Sequence, residues 1–130
     1  MHDFDLVLMN GDIITADKAL APMRWIGIRE GKIGAMGNQA VYPGDSKLVG
    51  KIVDVCGKTV VPCFVDGGEA GYTVYLYSKE GKMGVIEVGG DADVAVVQIS
   101  SIREALTGFF DVKTSVYEAY SSGDLVYSRD

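Results

Sequence analysis

Apolar and polar positions alternate with a period of two over most of this chain, separated by glycine-rich turns. Near the start, Phe4, Leu6 and Leu8 alternate with Asp5, Val7 and Met9, which is strand periodicity. Asn10-Gly11 follows. Both residue types tolerate positive φ, so this pair predicts a hairpin, with residues 12–16 returning as a second strand. Residues 25–29 and 32–36 predict another pair around Glu30-Gly31, and residues 48–55 and 58–61 a third around Cys56-Gly57. Between them, residues 37–47 carry Asn38, Pro43, Gly44 and Asp45 and predict an irregular loop.

Gly67, Gly68 and Gly71 predict a flexible joint, and the one plausible boundary falls there. The chain then reads as a single β domain of residues 1–130, with an N-terminal lobe over 1–66, a joint over 67–71 and a C-terminal lobe over 72–130. Beyond the joint, residues 72–77 have β-rich composition, and residues 85–88 and 93–99 predict strands. Ser101-Ile102-Arg103-Glu104 has the form of a capping box and predicts a short helix over residues 102–106, ending near Gly108. Residues 112–119 and 125–127 predict the last strands, joined by Ser121-Ser122-Gly123-Asp124. Many short strands, one short helix and no βα alternation predict a mainly β fold. It should be a β-sandwich or a partly open barrel built from the N- and C-terminal segments.

Composition narrows the classes. The 130 residues fit one domain able to bury a core, and 48% hydrophobic with 23% charged residues is ordinary for a globular protein. A net charge of −6 argues against nucleic-acid binding. No apolar run approaches the roughly 20 residues that span a bilayer. The start, Met1-His2-Asp3-Phe4-Asp5, is acidic rather than cationic, so a cytoplasmic location is expected. Two cysteines, Cys56 and Cys63, could pair on spacing alone, but two reduced buried thiols fit a cytoplasmic chain better. Zinc needs about four ligands, and the only histidine is His2.

Several residues carry potential chemistry. Asp66 and Glu69 could form a carboxylate pair for acid–base work, though a solvated joint between glycines accounts for both. Asp91 and Asp93, with Glu87 nearby, could hold a cation; a turn residue followed by a strand start explains them as well. Cys63 lacks a histidine partner for nucleophilic chemistry. Tyr72, Tyr75 and Tyr77 could stack a ligand, but strand aromatics more often serve cross-strand packing. Gly89-Gly90 matches no phosphate-loop spacing and reads as a turn.

Three segments in order resemble the amidohydrolase superfamily of metal-dependent hydrolases. The opening pair is Asp5-Leu6-Val7-Leu8-Met9-Asn10-Gly11-Asp12-Ile13-Ile14 with Arg29-Glu30-Gly31-Lys32-Ile33-Gly34-Ala35-Met36-Gly37. The second segment is Val53-Asp54-Val55-Cys56-Gly57-Lys58-Thr59-Val60-Val61-Pro62-Cys63-Phe64-Val65-Asp66. The closing segment is Gly84-Val85-Ile86-Glu87-Val88-Gly89-Gly90-Asp91-Ala92-Asp93-Val94-Ala95-Val96-Val97, followed by Val112-Lys113-Thr114 and Gly123-Asp124-Leu125-Val126-Tyr127. The resemblance implies that the two ends pair into one small β domain, beside which the family carries a catalytic barrel that cleaves C–N bonds other than peptide bonds.

A barrel needs about 250 residues, and fewer than thirty separate Asp66 from the closing segment. The family's first two metal-binding histidines fall on Gly68 and Ala70, and its glycine before the phenylalanine is Cys63. Without ligands, metal activation of water is lost. The expectation is a non-catalytic, barrel-less scaffold, excised from a larger enzyme or left by a deletion, with no catalytic residue, no metal and no cofactor. The Gly67–Gly71 stretch resembles a linker, which favours excision. The alternative is a small binding or assembly module reusing the same sandwich. A sheet face that has lost its barrel would be left bare, so a homodimer is expected unless residues 72–77 fold back over it.

Overall fold

The computed structural model describes residues 3–15, 22–68, 71–75, 85–97, 109–110 and 116–128. The chain is mainly β. In order come β1 (Phe4–Met9), β2 (Asp12–Ile13), β3 (Trp25–Arg29), β4 (Lys32–Gly37), β5 (Val49–Asp54), β6 (Thr59–Pro62), β7 (Phe64–Gly68), β8 (Gly71–Tyr75), β9 (Val94–Val97), β10 (Phe109–Phe110), β11 (Val116–Ser121) and β12 (Asp124–Ser128). A four-stranded sheet has the order β4-β3-β1-β5, and a five-stranded sheet has the order β12-β11-β9-β6-β2. A small three-stranded sheet, β10-β8-β7, completes the set.

Alternation in the strands sorts residues between two cores. Leu6 and Leu8 of β1, Ile26 and Ile28 of β3 and Ile33 of β4 meet Val60, Val94, Val96 and Tyr120 of the five-stranded sheet in the larger cluster. Each buried Leu, Ile or Phe-sized side chain contributes about 1.5–3 kcal/mol. The opposite face of the five-stranded sheet is also dry: Val61, Cys63, Ala95, Val97, Val116 and Ala119 form a second cluster. That is why β9 reads as an unbroken Val-Ala-Val-Val run, since all four of its residues are buried. In the three-stranded sheet, β7 lies next to β11.

Among the described residues, three turns have two successive residues of positive φ: Glu30-Gly31 (52° and 77°), Cys56-Gly57 (55° and 80°) and Ser122-Gly123 (48° and 80°). The first and third close true hairpins, β3–β4 and β11–β12. The second does not. The Lys58 N–H donates to Val55 O at 3.0 Å to close the turn. Yet β5 pairs in parallel with β1, whereas β6 pairs with β9 and β2 in the other sheet. The turn forms as the sequence predicts, and its flanking strands part because β5 completes a ladder with β1 and β6 one with β9.

The Asn10-Gly11 hairpin is overturned. Asn10 takes φ 57°, but Gly11 stays out of the left-handed region, so no two-residue hairpin turn closes. β2 is only two residues long and pairs in parallel with β6. The chain thus crosses from one sheet to the other at Gly11. A Cβ there would lie 2.8 Å from Val55 Cγ2, so only glycine fits the crossing.

Residues 85–88 are not a strand. They run extended into a turn, where the Gly90 N–H donates to Glu87 O, and they are anchored by the Ile86 N–H donating to Thr15 O at 2.9 Å. Ile86 is buried, while Val85 and Val88 face solvent, so one side chain rather than a ladder holds the segment. β10 and a single 3₁₀ turn at Ser46–Leu48 carry no clear periodicity in the sequence. The strand expected over 72–77 is β8 as far as Tyr75, that over 93–99 is β9, and that over 112–119 is β11 from Val116. The remaining residues of these ranges and the expected helix over 102–106 lie outside the described residues. Gly67 and Gly68 end β7 and Gly71 opens β8, with Gly68 opposite Gly71, so the glycines expected to form a joint sit in an antiparallel ribbon.

On its other side the four-stranded sheet carries an aromatic cluster. Phe4, Trp25 and Tyr42 meet edge to face with ring centroids 5.0–6.4 Å apart. Phe4 lies so close to the backbone that a Cβ on Gly27 would come within 2.8 Å of its ring. Substituting Gly27→Ala should therefore destabilise the fold by about 1–3 kcal/mol, measured as a lower urea midpoint with unchanged slope. An unchanged midpoint would mean that Phe4 moves aside freely.

Both ends of the chain build the five-stranded sheet, which makes unfolding one event. Deleting residues 112–130 removes β11 and β12 and bares one edge of β9. Amide exchange at Leu6 and Leu8 in β1 should then lose its protection together with that of β9. If β1 kept its protection in the shortened chain, the two segments would not be one cooperative unit.

Candidate functional site

The residues singled out for chemistry are dispersed and structurally committed. Asp91 forms an ion pair with Lys32 at the isolated bridge between these two residues, and both side chains are more than half exposed. Such a pair contributes little to stability. Asp93 Oδ1 accepts from the Ser122 N–H at 2.8 Å, and its carbonyl accepts from the Cys63 N–H at 3.0 Å. Glu87 supplies a turn carbonyl. Of the three carboxylates, that of Asp93 holds a loop in place. Among the described residues, no group of three or more His, Cys, Asp or Glu is placed to hold a metal ion. Asp66 and Gly68 lie in β7, whereas His2, Glu69, Ala70 and Tyr77 fall outside the described residues. Tyr72 and Tyr75 lie in β8, opposite Gly67 and Phe64. Gly89, at φ 90°, is in the turn expected of it.

The two cysteines are both free but unlike. Cys63 is buried in the second core cluster, and burial together with the charge of Asp93 pushes its thiol well above the ordinary range. It is an inert packing thiol. Cys56 is exposed, contrary to the expectation of two buried thiols, because it occupies the first left-handed position of a tight turn that projects from the sandwich.

What the sequence did not single out is the network beneath that turn. The Asn10 side-chain amide donates to Asp54 Oδ1 at 3.0 Å, and the Cys56 N–H donates to the same oxygen at 2.8 Å. The Cys56 N–H, then Asn10, holds the Asp54 carboxyl below its usual range. Arg24 donates from Nη2 to Asn10 Oδ1 at 3.1 Å and from Nε to Gly11 O at 3.2 Å. Polar residues in three distant segments are a weak sequence signal; only the fold joins them.

Beside this network, the end of β5 and the strands of the five-stranded sheet enclose a groove of about 370 Å3. Asp54, Val55, Lys58, Val96, Tyr117 and Glu118 line it, with Ser128 at one end. Val55 and Val96 are buried, Tyr117 and Glu118 half-buried, and Asp54 exposed. Lys58 Nζ sits 4.7 Å from the centre of the Tyr117 ring. The buried Tyr120 hydroxyl donates to Glu118 Oε2 at 2.9 Å. Burial first, then the Glu118 charge, pushes this phenol well above its ordinary range.

No known family pattern matches the chain, and no curated protein matches it. Among solved structures, it is similar to the L-hydantoinase (dihydropyrimidinase) from Arthrobacter aurescens, with 24% identity and a TM-score of 0.34 over 45% of this chain and 12% of that one. It is also similar to a D-hydantoinase, with 23% identity and a TM-score of 0.33 over 54% of this chain and 15% of that one. The chain spans only a small fraction of either hydantoinase's length. No helix among the described residues is long and apolar enough to cross a membrane.

The buried acids generate a pH prediction. An unfolded thiol ionises near 9.0 and an unfolded phenol near 10.0, while folded Cys63 and Tyr120 stay protonated to higher pH. Above those values the native state binds more protons than the unfolded state, so stability falls as pH rises. The slope should reach about 1.4 kcal/mol per pH unit for each group. Urea titrations from neutral to alkaline pH should show this decline, flattened in Cys63→Ala and in Tyr120→Phe. In native protein a thiol reagent should modify Cys56 quickly and Cys63 only on unfolding. Equal slopes in all three proteins would contradict the assignment.

Proposed function

We propose that this chain is a non-catalytic β scaffold of the amidohydrolase type, a composite domain without its barrel, excised from a larger enzyme or left by a deletion. The observation that carries this reading is the pairing of the segments holding the family-like motifs. β6, from the second segment, runs antiparallel to β9, from the closing segment, with Thr59 opposite Val97 and Pro62 opposite Val94. The strands on either side of the missing barrel thus lie side by side in one sheet. The burial of Val61, Cys63, Ala95 and Val97 on the face away from the larger core also supports it, because the chain closes over that face by itself. The chemistry points the same way: Gly68 and Ala70 stand where the family places metal-binding histidines, and neither has a side chain that ligates.

The test is metal analysis and turnover on the same preparation, purified without a histidine tag. Hydantoin and dihydrouracil are suitable substrates, since the similar structures are hydantoinases. Less than stoichiometric metal and no hydrolysis above background are expected, with or without added zinc or manganese. One tightly held zinc per chain, lost together with amide hydrolysis, would overturn the proposal. A second reading, a small binding module on the same sandwich, is favoured by the groove beside Lys58 and Tyr117.

A further inference from the structure

We propose that this groove binds a small organic ammonium ion, a primary alkyl- or arylalkyl-amine in its protonated form. Val55 and Val96 lie at its base, and the rest of the lining, Asp54, Lys58, Tyr117, Glu118 and Ser128, carries polar or charged groups, which suits a small ligand that is itself mostly polar with a short hydrocarbon part. The Tyr117 ring offers a face to positive charge, and the protein already uses it that way by seating the Lys58 ammonium 4.7 Å from the ring centre. Two carboxylates line the same space. Asp54 is held in its ionised form by the Cys56 N–H and the Asn10 amide. Glu118 is fixed by the Tyr120 hydroxyl on one oxygen. Among the described residues neither carboxylate makes a salt bridge, since Lys32–Asp91 is the pair that forms. The groove therefore combines two buried valines, an aromatic face and two carboxylates against the single ammonium of Lys58, in a chain whose net charge of −6 favours cations over anions.

Lys58 is then the groove's own competitor. Its ammonium occupies the ring face that a ligand would use, on a flexible stem that can release it to water. A bound amine takes that face and Lys58 turns outward. This inference goes beyond the scaffold reading and does not rest on it, because a chain without catalytic metal could bind an amine or fail to.

Benzylammonium chloride is the probe, titrated into the full chain labelled with ¹⁵N at physiological ionic strength, with benzyl alcohol and benzoate as neutral and anionic counterparts. Saturable amide shifts at Val55, Val96 and Glu118 are expected from benzylammonium, weaker ones by about two- to fivefold or more from benzyl alcohol, and none from benzoate. Lys58→Met keeps most of the stem and removes the competitor, so affinity should rise about two- to fivefold. Glu118→Gln should lower it by a similar factor. Equal binding of benzyl alcohol, shifts that never saturate or that spread over every acidic surface, or weaker binding by Lys58→Met would each overturn the proposal. The comparison of the three probes on the unaltered chain decides the matter even if a variant fails to fold.

Discussion

The polar knot around Asn10 is the constraint on which the two-sheet arrangement depends. At this point the chain leaves β1 in one sheet and enters β2 in the other, and each exposed polar group at the crossing has a defined partner. Asn10 donates to Asp54, accepts from Arg24, and its carbonyl accepts from the Gly57 N–H at 2.7 Å. Three distant segments, 10–11, 24 and 54–57, are thereby pinned together. A buried or half-buried crossing without such partners would leave amides unsatisfied at a cost of about 1–3 kcal/mol each. With them, the two crossings at Gly11 and Gly57 stand side by side, and the strands they feed lie in opposite layers.

This arrangement explains why the five-stranded sheet is the organising layer. It receives β2 and β6 from the first half of the chain and β9, β11 and β12 from the second. β6 and β9 send alternate side chains to two dry faces, one packed against the four-stranded sheet and the other gathered in a second cluster with Val116 and Ala119. A strand buried on both faces tolerates polar residues poorly. Thr59 is the exception: its buried hydroxyl oxygen has no hydrogen-bond partner, a local cost within an otherwise apolar layer.

Function follows from where reactive groups are allowed to be. The sheet that unites the two halves is apolar on both sides, so it offers rigidity rather than chemistry. Carboxylates at the loop ends are spent on N–H groups, as Asp93 is on Ser122 and Asp54 on Cys56. A concave surface with mixed chemistry lies at the margin, where Asp54 at the end of β5, Lys58, Tyr117 and Glu118 stand around Val55 and Val96.

Local periodicity and turn chemistry were legible without coordinates. The strand at Phe4–Met9, the β3–β4 and β11–β12 hairpins and the left-handed turn at Cys56-Gly57 are all written in neighbouring residues, because alternation and positive φ are local properties. The mainly β class followed from the same signals. Pairing was not legible. Asn10-Gly11 and Cys56-Gly57 look like hairpin turns by composition, but a strand chooses its partner by the area it buries and the ladder it completes, and both are settled across the whole fold. For the same reason the sequence separated Asn10, Lys58 and Tyr117 into unrelated segments, while tertiary structure brought the first to Asp54 and the other two into one groove.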